Sequence, residues 1–317
     1  MTRLVLADLA KLRRPFMLWL SLGVVGMIVV TAAMSHESAA LQWRTARDNL
    51  SLLQTHPPPP EGYGLTTKDA KYRAAYRQDL ADARRFIADT RRQGAMVAAT
   101  QHPVGALGLA LGHLCSLIGF LFLLLAAGAH VAGEWNLRTI KDVLVAEGRR
   151  TRFVLAKCIS IGVVAVWFLL ISWAALVAWG LVSQRRYPIP SPLSQAATFD
   201  WTVPRLEAAL PVFIFASVLA VFFAVLIRSG LGTVLGGVVT LTVLVVATRS
   251  SAAERLSPAA WVASLMDFQR YPYLVDHVWA ERSVAVSASS SVVGLAVASV
   301  VLAAAAVVVT KKRDVLT

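Results

Sequence analysis

The stretch FVLAKCISIGVVAVWFLLISWAALVAWGLV, Phe153–Val182, carries a single formal charge, Lys157. A helix of roughly 20 apolar residues crosses the hydrocarbon core of a bilayer, so this run can span it with residues to spare. Five further apolar runs reach or approach that length: Phe16–Met34, Val104–Val131, Ala208–Ile227, Leu231–Thr248 and Val284–Thr310. Lipid offers no hydrogen-bond partner to an open backbone, so spanning segments of this kind must be helical. The expectation is an all-α polytopic membrane protein with six transmembrane helices, an N-terminal interfacial helix and a helical extracytoplasmic insert.

The organisation read from these runs is an amphipathic interfacial helix over 1–15 and a first span over 16–34, followed by an extracytoplasmic insert over 35–103. The second span, 104–131, and the third, 153–182, flank a cytoplasmic loop over 132–152. An outer loop at 183–207 precedes spans four (208–227) and five (231–248). A second outer loop with interfacial helices at 249–283, a sixth span at 284–310 and a cytoplasmic tail at 311–317 complete it. The first apolar run is longer than the ~7–15 residues of a signal-peptide core, and reads as a retained helix.

The composition agrees with a membrane protein: 57% of residues are hydrophobic and 15% charged, outside the usual range of soluble domains. The net charge of +13 sits in loops and tails, where anionic head groups and topology account for it without nucleic acid. Ala, Val, Leu and Arg dominate over Lys and Ile, the usage of a high-GC bacterium. The two cysteines, Cys115 and Cys158, fall inside spans, and no histidine cluster accompanies them to make a metal site.

Basic residues orient the chain. The short segments on the N-terminal side of the membrane carry Arg3, Lys11, Arg13, Arg14, Arg138, Lys141, Arg149, Arg150, Arg152, Arg228, Lys311, Lys312 and Arg313. The short loops on the other side carry only Arg185, Arg186, Arg205, Arg249, Arg255, Arg270 and Arg282. The positive-inside rule then places both termini in the cytoplasm of a bacterial plasma membrane.

Before the first span, Val5, Leu9 and Leu12 oppose Arg3, Ala7, Lys11 and Arg14 at helical period, and Pro15 ends the segment. An interfacial helix fits this pattern; a basic tail that only fixes topology is the alternative. In the insert, two helical patterns flank Pro57-Pro58-Pro59-Pro60. The second starts near Thr66, whose spacing to Asp69 resembles a capping box. Tyr72, Tyr76, Ala83 and Ile87 share one face of it. The insert reads either as a solvated hairpin or as a cap that contacts substrate through Arg84, Arg85, Arg91 and Arg92.

Catalytic signatures are missing. The chain has no Gly-x-x-x-x-Gly-Lys-Ser/Thr phosphate loop, no His-Glu-x-x-His and no Gly-x-Ser-x-Gly. Lys157 and Glu207 fall at span ends, where each is expected to reach the interface. Spans otherwise free of acids and bases argue against ion-coupled transport. Small residues recur at Gly105, Gly108 and Gly112, at Gly232, Gly236 and Gly237, and through Ala303–Ala306, permitting close helix approach. Trp167, Trp173 and His113 are candidates for an apolar cargo path, with anchoring and packing as the alternative roles.

The most specific stretch is Gly133–Lys157, GEWNLRTIKDVLVAEGRRTRFVLAK. It opens on Glu134, continues through a helical Thr139-Ile140 pattern to the turn Gly148-Arg149-Arg150, and enters the third span at Ala156-Lys157. This arrangement resembles the permease subunits of bacterial ABC exporters of the NosY, bacitracin and lantibiotic-immunity type. Arg138 stands where those permeases usually have glycine. The six-span layout, the turn Arg228-Ser229-Gly230 between spans four and five, and Arg313-Asp314 near the C-terminus extend the likeness, whereas the insert at 35–103 departs from it.

The resemblance implies that the loop between spans two and three docks on a separate ABC ATPase. The contact residues it implies are Glu134, Arg138, Thr139, Ile140, Lys141, Val143, Leu144, Gly148, Arg149 and Arg150. It further implies two copies of that ATPase and a second permease copy, as a homo- or heterodimer. ATP and Mg would be bound by the partner and no cofactor by this chain. A stand-alone secondary transporter or channel is the alternative, and an intramembrane enzyme a third class.

Overall fold

A computed structural model describes residues 5, 6, 8, 10, 15–56, 70–136, 150–187, 189, 194–247, 255–266 and 286–312. Among them are nine helices. These are α1 (Pro15–Thr55), α2 (Ala70–Ala99), α3 (Pro103–Leu114), α4 (Leu117–Ala127), α5 (Arg150–Arg186), α6 (Gln195–Ile227), α7 (Gly230–Ala247), α8 (Pro258–Met266) and α9 (Ala288–Lys312). A π-helical turn at Gly128–Ala132 and one further α-turn at Gly133–Asn136 extend α4. Val5, Leu6, Asp8 and Ala10 are also helical.

Six of these helices, α1, α5, α6, α7, α9 and α4 with its extension, are long and apolar enough to cross a membrane. Much of their apolar surface faces outward. On α7, Leu231, Leu235, Val239, Val243 and Val246 are exposed at helical spacing, as are Val293, Val297, Val300 and Val301 on α9. Exposed apolar area on this scale is untenable in water, and it suits the lipid surround of a multi-pass membrane protein.

The middle of the bundle is α6, which packs against α3, α4, α5, α7, α8 and α9. From Phe215 to Val225 its buried side chains point in every direction, among them Phe215, Leu219, Val221, Ala224 and Val225, as a helical stretch enclosed on all sides requires. Glycine sets the spacing where α7 joins. A methyl group at Gly128 would lie 2.9 Å from the Gly230 carbonyl oxygen, and one at Gly237 would overlap the Leu124 side chain. The glycines let the backbones meet.

The apolar run 104–131 is not one helix. It breaks at Cys115–Ser116, with Ser116 extended at φ −81°, ψ 173°. The Ser116 hydroxyl and amide both donate to the His113 carbonyl, at 2.6 and 3.2 Å. A serine that takes up backbone acceptors in this way competes with the helical ladder, and hydropathy does not register that competition. Two other boundaries differ from the apolar pattern. The first span continues without a break to Thr55, and α6 starts at Gln195, well before Ala208. Arg205, read as a loop residue, is therefore helical and buried. Its Nε donates to the Met266 carbonyl at 3.1 Å, and its guanidinium lies 4.5 Å from the centre of the Trp201 ring. A cation at the C-terminal end of α8 also offsets that helix's dipole.

In the insert, α2 packs along the second half of α1. The face named from periodicity is the one turned inward: Tyr72 and Thr90 are buried, and Tyr76, Ala83 and Ile87 half-buried. Tyr76 donates to the Leu53 carbonyl at 2.7 Å. The Thr66–Asp69 capping pattern lies outside the described residues.

The turn between α2 and α3 is held by a directed chain of hydrogen bonds. Trp179 Nε1 donates to His36 Nδ1 at 3.1 Å, so His36 Nε2 carries the proton it gives to Thr100 Oγ1 at 2.9 Å. The Thr100 hydroxyl in turn donates to the Val97 carbonyl at 2.7 Å. Gln184 Nε2 adds a bond to the Gln101 carbonyl at 3.0 Å.

Candidate functional site

On α5, 22 residues before Trp179, one ammonium group ties three chain segments together. Lys157, on the second turn of α5, donates from Nζ to Asp8 Oδ1 and Oδ2 at 2.7 and 2.9 Å, and to Glu134 Oε1 at 2.7 Å. Ser160, one turn further, donates to Asp8 Oδ2 at 3.2 Å. The three charged residues are 3–6% exposed. The Phe153 ring centre lies 5.4 Å from Nζ and closes one side.

This corrects the expectation that Lys157 reaches the interface. Its position on the buried face of α5, with Phe153, Val154, Ile161 and Val164, directs the ammonium into the bundle. Desolvating a cation is unfavourable unless it is paired and hydrogen-bonded, and here two carboxylates meet it.

The cluster links parts of the chain that are remote in sequence. Asp8 belongs to the N-terminal helical segment, 149 positions from Lys157, whereas Glu134 follows the π-helical turn at the end of α4. Glu134 and Lys157 therefore fasten both ends of the segment between α4 and α5. A second contact steadies the same region. Arg228 caps α6 in the left-handed conformation, at φ 59°. That conformation is uncommon for a side chain of this size. Its guanidinium lies 3.9 Å from the centre of the Trp135 ring, a stacking contact that favours the conformation. The α6–α7 turn is thereby seated on the residue that follows Glu134.

Of the residues expected to contact an ATPase, Glu134 lies in this cluster and Arg150 opens α5. Arg138, Thr139, Ile140, Lys141, Val143, Leu144, Gly148 and Arg149 lie outside the described residues. The three cargo-path candidates have different surroundings. His113 is buried in α3 with Nδ1 3.0 Å from the Leu109 carbonyl. Trp167 and Trp173 lie on the outer surface of α5, 45% and 36% exposed. Their Nε1 atoms donate to Ser21 Oγ at 3.3 Å and to the Pro103 carbonyl at 2.9 Å. In this arrangement both tryptophans anchor neighbouring helices.

Asp8 and Lys157 are the residues that the sequence reading missed as a pair. Both leave a trace in the sequence. Asp8 falls between Val5, Leu9 and Leu12 on the apolar face of the first segment, and Lys157 is the lone charge of the third span. An acid on an apolar face and a base in an apolar run each need a partner.

In comparisons with known proteins, the chain matches no family model, no curated protein and no solved structure.

Proposed function

We propose that this chain is the transmembrane permease subunit of an ABC exporter, driven by ATP that a separate ATPase subunit hydrolyses. The observation that carries the reading is the buried Asp8–Lys157–Glu134 cluster. A loop that receives force from a soluble motor must be joined stiffly to the helices it moves. Glu134 and Lys157 bind its two ends to each other, and Asp8 adds the N-terminal segment to the same rigid group. Movement of the 137–149 segment would then displace α4, α5 and the N-terminal segment together, as a shift between two packings of the bundle. Ile140, Val143 and Leu144 supply the apolar face for a groove on the ATPase, with Arg138, Lys141, Arg149 and Arg150 at its rim. The permease acts as a dimer with two ATPase copies, and its cargo is amphiphilic: a peptide antibiotic, a drug-like compound or a lipid.

Apolar anchors dominate interfaces and rim charges contribute little singly, which gives the test its order of severity. Val143→Asp and Leu144→Asp are each expected to insert normally but fail to co-purify with the ATPase, whereas Arg149→Ala retains most of the association. Undiminished ATPase association by a properly inserted Leu144→Asp variant would reduce the loop to a topological element.

The buried cluster also bears on the alternative of a secondary transporter, because acids and bases buried among spans are the raw material of proton relays. Here each carboxylate is engaged by the one ammonium at a single end of the bundle, an arrangement suited to holding segments together. The isolated chain in proteoliposomes is accordingly expected to move no amphiphilic dye under an imposed proton or Na⁺ gradient. Gradient-driven uptake abolished by Lys157→Met would establish the transporter reading instead.

A further inference from the structure

The turn that carries Glu134 into the charge cluster is wider than an α-helical one. Between Gly128 and Ala132 the backbone is π-helical, and the Gly133 amide bonds to the Gly128 carbonyl, five residues back. A π-turn of this kind holds one residue more than the α-turn it interrupts. The α-turn that follows, Gly133–Asn136, therefore lags one residue, roughly 100°, behind a continuous α-helix. That lag decides which side chain meets Lys157. In a continuous helix Gly133, which has no side chain, would stand where Glu134 stands. Glu134 would stand where Trp135 stands.

The surroundings fix which side of the turn can move. Before it, α4 is clamped by α7: a methyl group at Gly128 would lie 2.9 Å from the Gly230 carbonyl oxygen, and Leu124 fills the space over Gly237. After it, a methyl group at Gly133 would meet nothing within 4 Å. A change of register therefore rotates Gly133–Asn136 and leaves α4 in place. Side chains reach roughly 5–6 Å from a helix axis, so a rotation of roughly 100° carries the Glu134 carboxylate about 8 Å. That takes it out of reach of the ammonium it now meets at 2.7 Å. A second cation stands at its destination, because Trp135 lies under the Arg228 guanidinium, 3.9 Å from the ring centre.

We propose that the turn Gly128–Ala132 is a register switch, in which a one-residue change between π and α form moves Glu134 from Lys157 to Arg228. In the register seen here Glu134 fastens the end of α4 to α5. In the other it fastens the same end to the α6–α7 turn, and Lys157 keeps Asp8, which it holds at 2.7 Å. A buried carboxylate is costly without a cation, and this one has a cation in each register, which makes two discrete packings accessible. Glycine at both ends of the turn, Gly128 and Gly133, eases the change, since it restrains the backbone least. The inference concerns the cluster itself and does not depend on an ATPase docking on the 137–149 segment.

The test is thermal melting of the full chain in detergent, with the carboxylate moved along the sequence. Glu134→Gln lowers the melting temperature. Gly133→Glu/Glu134→Gln is expected to recover most of that loss, because the α register brings residue 133 opposite Lys157. Gly133→Gln/Glu134→Gln, which gains the same helix propensity without the charge, should not. Deletion of Ala129 removes the extra residue and leaves a continuous helix with Glu134 still at Lys157. The shortened chain should melt within about 2 °C of the unaltered one, and in it Gly133→Glu/Glu134→Gln should recover nothing. Exchange in the unaltered chain is read by fluorine NMR of 5-fluorotryptophan-labelled protein, with the Trp135 signal assigned by its loss in Trp135→Phe. Two Trp135 signals are expected, reduced to one by the deletion. No recovery by Gly133→Glu would overturn the proposal. Recovery that survives deletion of Ala129 would overturn it too, showing only that residue 133 lies near enough to reach. A single Trp135 signal in the unaltered chain would make the turn a fixed spacer and overturn the switch. The Gly133 pair needs no deletion, so it decides the matter even where the shortened chain does not insert.

Discussion

Lys157→Met is expected to lower the melting temperature of the detergent-solubilised chain by about 10 °C. Removing one partner of a buried ion pair costs about 3–5 kcal/mol, because the remaining charge stays desolvated. For a chain of this size each kcal/mol corresponds to a few degrees. Here the loss is compounded, since Asp8 and Glu134 would face one another without the ammonium between them. Lys157→Arg, which keeps the charge, should recover part of the loss. The triple variant Asp8→Asn/Glu134→Gln/Lys157→Met should recover more, because a wholly neutral cluster leaves no charge uncompensated. The single variants Asp8→Asn and Glu134→Gln should each fall between, as the ammonium keeps one carboxylate in either case. A Lys157→Met protein that melts within about 2 °C of the unaltered chain, an effect below 1 kcal/mol, would show that the cluster does not hold the segments together.

The second large effect is expected at Gly119, two residues into α4. A Cβ there would overlap the carbonyl group of Leu114, and the obstructing atoms are backbone. Backbone cannot move aside as a side chain can, so Gly119→Ala must open the break between α3 and α4. Overpacking of this kind costs about 3 kcal/mol. The matching control is Gly26 on α1, where a Cβ would meet nothing within 4 Å. Gly26→Ala should raise stability by up to about 1 kcal/mol through helix propensity alone. Thermal melts of the two variants side by side check both expectations. Equal behaviour would mean that the break is not a tightly built feature of the fold.

The two sites differ in how they could be seen beforehand. Lys157 stands out in its apolar run, and the need for a partner follows from the energetics of a buried charge. Which partners it has does not follow, because Glu134 and Asp8 are chosen by the way the ends of α4 and the N-terminal segment converge on α5. Gly119 carries no mark at all. It is one of five glycines in a long apolar stretch, with Gly105, Gly108, Gly112 and Gly128, and hydropathy treats them alike. The inward face of α2 was legible in the periodicity of Tyr72, Tyr76, Ala83 and Ile87, since a helix packed on one side repeats its contacts every three to four residues. The groove between α2 and the start of α6 was not, although Arg84, Arg91 and Arg92, which line it, stand out as a charge run. Its other wall, Asp200 and Trp201, lies in a stretch that the apolar pattern assigned to a loop.

The sequence by itself determined the class of the molecule: six apolar helices of spanning length, a helical insert and the charge-poor interior. These follow from local composition, because length and hydropathy act within each segment regardless of the others. Only the tertiary structure decided that α6 is the central helix, that the second apolar run is broken at Ser116, and that Lys157 joins Asp8 to Glu134. Two of these rest on atoms brought together across the chain, the helices around α6 and the carboxylates 149 and 23 residues from the lysine, whereas the break rests on a local geometry that hydropathy does not register, Ser116 on the His113 carbonyl and Gly119 against Leu114. Hydropathy is a property of one segment, whereas packing and charge pairing are properties of two or more.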